Sequence, residues 1–142
     1  MLTHYLKKAI EDLEFLIDLT LLDIADIKSA HHDRIFERLE SKEDRIASFE
    51  KHKGMIDSEI ALLLKENCGK ELSDLLDEKT QEGLERLRET LNNLHSLNRY
   101  YARFVIAVGE FYNSMYEEVF PIEKDGYTGK TPKTASLIEL RV

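Results

Sequence analysis

Ten positions in the second half of the chain, Leu84, Leu87, Leu91, Leu94, Asn98, Tyr101, Val105, Val108, Tyr112 and Met115, follow one another at gaps that alternate strictly between three and four. A strand cannot hold that spacing on one face, because its side chains repeat every second residue. A helix holds it as a single stripe with a period near 3.5. Sustained over about four and a half heptads, the stripe predicts a helix on the order of 50 Å or longer at 1.5 Å per residue. Such a helix is too long to be buried on all sides, so its apolar stripe must meet stripes on other helices.

Two such stripes are present. Leu6, Ile10, Leu13, Ile17, Leu21, Ile24 and Ile27 form the first, with Glu11, Asp12, Asp18, Asp23 and Asp26 mainly between them. Ile35, Leu39, Ile46, Phe49, Ile56, Ile60 and Leu63 form the second, with Lys42 and Lys53 at two of its positions. Arg38, Glu43, Arg45, Glu50 and Lys51 give its outer faces i,i+4 charge pairs, each worth tenths of a kcal/mol. Gly54 interrupts this segment and signals a kink, a close contact or nothing. The first stripe lapses over residues 28–33, where Ser29 and Asp33 are candidate N-caps; a turn is expected there, with a continuous helix as the alternative. The second ends at Asn67 or Gly69, either of which suits the left-handed closing position. Asn67 or Ser73 is then the candidate start of the third, and Pro121 its stop.

The expected fold is therefore all-α: three long helices, about 3–30, 33–67 and 70–119, forming an antiparallel helical bundle or coiled coil over residues 1–120. Residues 121–142 hold both prolines and the turn signals Asp125-Gly126 and Gly129, and read as a flexible C-terminal tail closing on the apolar Leu137-Ile138-Glu139-Leu140-Arg141-Val142.

Charge narrows the function. With 28 acidic against 20 basic side chains, the net charge is -8, which disfavours nucleic acid and anionic membrane surfaces as partners. The lone Cys68 forms no intramolecular disulfide. The amphipathic start, Met1-Leu2-Thr3-His4-Tyr5-Leu6, lacks the apolar core of a signal peptide, and no apolar run approaches a membrane span, so the cytoplasm is the expected compartment. The five histidines, His4, His31, His32, His52 and His95, have no metal-binding spacing, and no CxxC or Glu-x-x-His pair occurs. Gly126-Tyr127-Thr128-Gly129-Lys130-Thr131 echoes a phosphate loop but lacks the strand before it and the helix after it. Neither enzyme chemistry nor a cofactor or metal is expected; protein binding is.

The third helix is the candidate binding element. Half of the chain's twelve aromatics, Tyr100, Tyr101, Phe104, Phe111, Tyr112 and Tyr116, lie between Leu94 and Tyr116. With Val105, Val108 and Met115 they make a stripe wider than a two-helix seam needs. That stripe is either a bulky core or a face left apolar for a partner's amphipathic helix. Asn98 on it has the simpler role of fixing register.

The run Leu91-Asn92-Asn93-Leu94-His95-Ser96-Leu97-Asn98, leading into this aromatic helix and then a tail with Asp125-Gly126-Tyr127-Thr128-Gly129-Lys130, resembles the FlgN-type flagellar export chaperones. The likeness in residues spans roughly 91–131; His95 and Arg99 depart from the family's usual Asn and Gly. The resemblance implies a bacterial cytoplasmic chaperone that binds the C-terminal helical segments of hook-associated (hook–filament junction) proteins. It would prevent their premature assembly and deliver them to the flagellar export gate. Leu94, Asn98, Tyr101, Phe104, Val105, Val108, Phe111 and Tyr112 are then the expected partner-binding residues, and Tyr127 an export-gate contact. The alternatives are a self-associating structural coiled coil, as a homodimer or larger, or an adaptor for another secreted protein.

Overall fold

The computed structural model describes residues 1–119; the expected tail, including Tyr127, lies outside them. The described residues are all-α, with no strand among them. Three long helices, α1 (Leu2–Lys28), α2 (His32–Glu66) and α4 (Glu78–Val119), are joined by a tight turn and by a segment holding the single-turn α3 (Leu72–Leu75).

Both joints differ from expectation in how they are made. Residues 29–31 form the turn without Gly or Pro: Ala30 takes a φ of 60°, and the His31 N–H donates to the Asp26 carbonyl at 2.8 Å. Neither Ser29 nor Asp33 caps α2. His31 holds the N-cap position without a side-chain bond, while the Ser29 hydroxyl donates back to the Ala25 carbonyl. At the second joint Gly69, at φ 87°, takes the left-handed position. The third long helix then starts at Glu78 rather than at residue 70, Asn67 or Ser73. Asp77 sets that boundary, its carboxylate accepting from the Thr80 N–H at 2.8 Å, which satisfies one of the free donors of the first turn. Those bonds also hold the Asp77 carboxyl below its ordinary 3.8.

α1 is the shared neighbour, lying against both α2 and α4. Ion pairs from Asp23 to Arg38 and from Asp12 to Arg45 fix α2 antiparallel to it. Gly83 beside Leu6 and Lys28 beside Phe104 show that α4 runs in the same direction as α1. At Gly83 a Cβ would stand 3.3 Å from Leu6 Cδ1, so the missing side chain permits the close approach. Nothing comes near Gly54, whose lack of a side chain serves no contact.

Because α1 touches helices on two sides, it buries more than one stripe. Ala9, Asp12, Leu16, Thr20 and Asp23 are buried along with Leu6, Ile10, Leu13, Ile24 and Ile27, whereas Leu21 is exposed. Two apolar clusters result. Leu6, Ala9, Leu13, Leu16, Phe49, Ile56 and Leu94 form one; Ile24, Ile27, Ile35, Tyr101 and Val105 form the other. No helix is long and apolar enough to cross a membrane among the described residues.

Candidate functional site

Between the two apolar clusters the three helices meet in a charged layer. Asp23 and Lys42 are almost fully buried, with Lys42 Nζ 2.5 Å from Asp23 Oδ2. Arg38 Nε donates to Asp23 Oδ1 at 2.7 Å, and its Nη2 pairs with Asp26. Lys42 Nζ also stands 5.0 Å from the centre of the Tyr101 ring, so the layer spans all three long helices. Burial pushes the Lys42 ammonium below its usual range, with Asp23 opposing the shift. Burial and then the Asp23 charge push the Tyr101 phenol up. The hydrogen bond from Arg38 holds the Asp26 carboxyl below its ordinary 3.8. A second carboxylate, Asp12, accepts from Ser48 Oγ at 3.0 Å and Arg45 Nη1 at 3.2 Å, with His52 Nδ1 at 2.7 Å. Asp12, Asp23 and Lys42 are buried in these layers, while Arg38, Arg45 and His52 reach them from partly exposed positions. The layers fix the register of α2 on α1, the best-attested use of buried ion pairs. Among the described residues no cluster of His, Cys, Asp and Glu could hold a metal ion.

The accessible candidate is the far end of α4. Up to the level of Ile24, Ile27 and Ile35 its stripe is core: Leu94, in the first cluster, is 1 % exposed, and Tyr101 and Val105, in the second, are 2 % and 4 %. α1 ends at Lys28, whose Nζ sits 5.1 Å from the Phe104 ring, and α2 begins at His32, whose Nε2 is 3.4 Å from the Tyr112 hydroxyl. Beyond that level the stripe continues with no helix from α1 to cover it. Phe111 is 61 % exposed, Tyr112 49 % and Met115 46 %. Phe36, one turn into α2 from His32, is 43 % exposed. The Phe111 and Tyr112 rings meet edge to face at 5.8 Å, and Tyr112 meets the His32 ring in the same way at 5.9 Å.

The expected partner-binding residues therefore divide. Leu94, Tyr101 and Val105 are core and not an open groove, because α1 and α2 close over them. Asn98, Phe104 and Val108 are half-buried, the last two packed at the margin of the second cluster. Phe111 and Tyr112 are exposed, and Met115, from the same stripe, joins them. The buried carboxylates Asp12 and Asp23 were not visible as inward-facing from the α1 stripe. Lys42 at an apolar position of α2 was the one signal that a carboxylate had to face it. Comparison with protein-family models, with curated proteins and with solved structures finds no match to this chain.

Proposed function

We propose that this protein is a cytoplasmic export chaperone of the FlgN type, whose three long helices form an antiparallel bundle with one end of its core face left open. Its cargo would be the C-terminal amphipathic helices of hook–filament junction proteins, laid against Phe111, Tyr112 and Met115. The observation that carries this reading is that the apolar stripe of α4 outruns α1 and stays exposed. A helix-in-groove contact recognises cargo through i, i+3 and i+4 anchors, and aromatic and Met side chains adapt well to such a partner. A subunit that polymerises through its own terminal helices would be kept apart by covering them reversibly. In this reading binding is the whole activity, with no catalytic step, and the tail, with Tyr127, contacts the export gate.

The test is co-expression with C-terminal segments of the hook–filament junction proteins from the same genome, followed by size-exclusion chromatography. A stoichiometric complex is expected, and Phe111→Asp with Met115→Asp should abolish it while helicity stays unchanged. Deleting residues 122–142 should spare that complex and impair delivery. A chain that ignores these segments and elutes as a tight oligomer would instead make it a self-associating coiled coil.

A further inference from the structure

The end of α4 that carries the open face lacks most of what keeps a helix wound. Gly109 is, after proline, the poorest helix former, and Phe111, Tyr112, Asn113, Ser114 and Tyr116 come from the weaker half of the scale. No Lys or Arg occurs from Phe104 to Val119, so Glu110, Glu117 and Glu118 have no cation at i±3 or i±4 along the helix. The last turn holds no basic residue, and Glu117 and Glu118 set two carboxylates at the negative end of the helix dipole. The other two long helices end differently. α1 has Lys28 in its last turn and buries Ile24 and Ile27 just before it. α2 has Ile60 and Leu63 only half-buried near its end, but it has Lys65, and the Asn67 N–H and side-chain amide both donate to the Leu63 carbonyl. In α4 every residue from Ser114 to Glu118 is exposed, as are Glu110, Phe111 and Tyr112. Tyr112 still reaches His32, and Phe111 with Met115 and Tyr112 with Tyr116 are i,i+4 pairs, each a small support. Packing supplies most of a helix's stability in a protein, and here the face that would be packed stands open.

Resting on the reading of this end as a helix-binding face, we propose that the stretch of α4 beyond Gly109, residues 110–119, is a conditional helix. In the free chain it is unwound most of the time, and a partner laid on Phe111, Tyr112 and Met115 winds it. The helical form is then the bound one of two states, and the partner shifts the balance by binding that form alone. The apparent affinity is the intrinsic one scaled by the fraction already wound, so winding and binding are a single equilibrium. Release of the partner dissolves the face that held it, which suits a carrier that must hand its cargo on.

The experiment uses the full chain and two positions, Glu110 and Glu117, which are exposed and stand at least about 100° around the helix from Phe111, Tyr112 and Met115. One variant has Glu110→Ala with Glu117→Ala, the other Glu110→Gly with Glu117→Gly. Charge is matched between them, while helix propensity differs by about fivefold at each position. Hydrogen exchange of the free parent chain, read by mass spectrometry, should show amides 114–118 within about tenfold of their unfolded rates, with those of 97–105 slowed by more than about a thousandfold. A fluorescently labelled C-terminal segment of a hook–filament junction protein from the same genome is then titrated into each variant. The Ala variant is expected to bind at least about tenfold tighter than the Gly variant, and amides 114–118 should slow in the complex. Amides 114–118 slowed by more than about tenfold in the free chain would overturn the proposal, because the helix would then be preformed. Equal affinities of the two variants would overturn it too. No complex with the parent or either variant would overturn the cargo reading, and the exchange of the free chain would then decide this inference by itself.

Discussion

α4 carries one stripe with two fates. Over its first two thirds the stripe is sealed against α1, and Leu94, Tyr101 and Val105 are core; over its last three turns the same spacing leaves Phe111, Tyr112 and Met115 in water. Nothing in the residue types separates the halves, and the aromatic density is if anything higher outside. The difference lies in the neighbour: α1 stops at Lys28 and the chain turns at Ala30, so the cover ends before the stripe does. Burial is a property of the pair of helices, whereas periodicity belongs to one.

Substitutions along that one stripe should therefore separate by position. Val105→Asp buries an unpaired carboxylate and is expected to cost more than about 4 kcal/mol, a large share of the stability of any domain of this size. Phe111→Asp should stay within about 0.5 kcal/mol of the parent, as exposed substitutions do. Urea unfolding followed by circular dichroism measures both; equal losses would erase the distinction between the halves. Asp23→Ala should cost about 3–5 kcal/mol by stranding Lys42, and Asp23→Leu with Lys42→Met should recover most of it, because an apolar replacement of a buried pair is often neutral. If the double variant is as weak as the single one, the layer contributes more than paired charge.

Smaller effects sharpen the picture. Gly54→Ala should stabilise by about 0.5–1 kcal/mol, since the position is open and mid-helix, while Gly83→Ala should gain less because its Cβ meets Leu6. Acid should act through Asp26 and Asp77. Each has a folded carboxyl below the ordinary 3.8, so each stabilises the fold above that pH and loses its contribution as pH falls through the lower folded value. Melting temperatures taken between about pH 5 and pH 2 should fall less steeply in Asp26→Asn than in the parent. Tyr101→Phe should be the mildest change, within about 0.5 kcal/mol, because the buried hydroxyl finds no hydrogen-bond partner and its removal frees none.

The helices and the turn near residues 28–33 were legible because they rest on local periodicity and its interruption. The start of α4 was not, since Asn67, Ser73 and Asp77 all have capping side chains, and it is Asp77 that takes the Thr80 N–H while Ser73 falls inside α3. The inward positions of Asp12 and Asp23 were hidden for another reason. A stripe reports one packed face, and a helix held between two neighbours has a second face that pulls in whatever residues occupy it. Of the candidate site, the aromatic identity of the helix was readable, but which of its residues reach solvent depended on where α1 ends.

The arrangement around α1 has a thermodynamic consequence. α2 and α4 each lie along α1 and meet one another through side chains alone, Lys42 over Tyr101, His32 beside Tyr112 and the shared apolar clusters. The α1–α2 hairpin is thus a receptor for α4, and α4 is a ligand tethered to it by residues 67–77. A short tether of this kind supplies an effective concentration on the order of millimolar. Severing it would turn a unimolecular docking into a bimolecular one, whose saturation would measure directly how tightly the third helix is held.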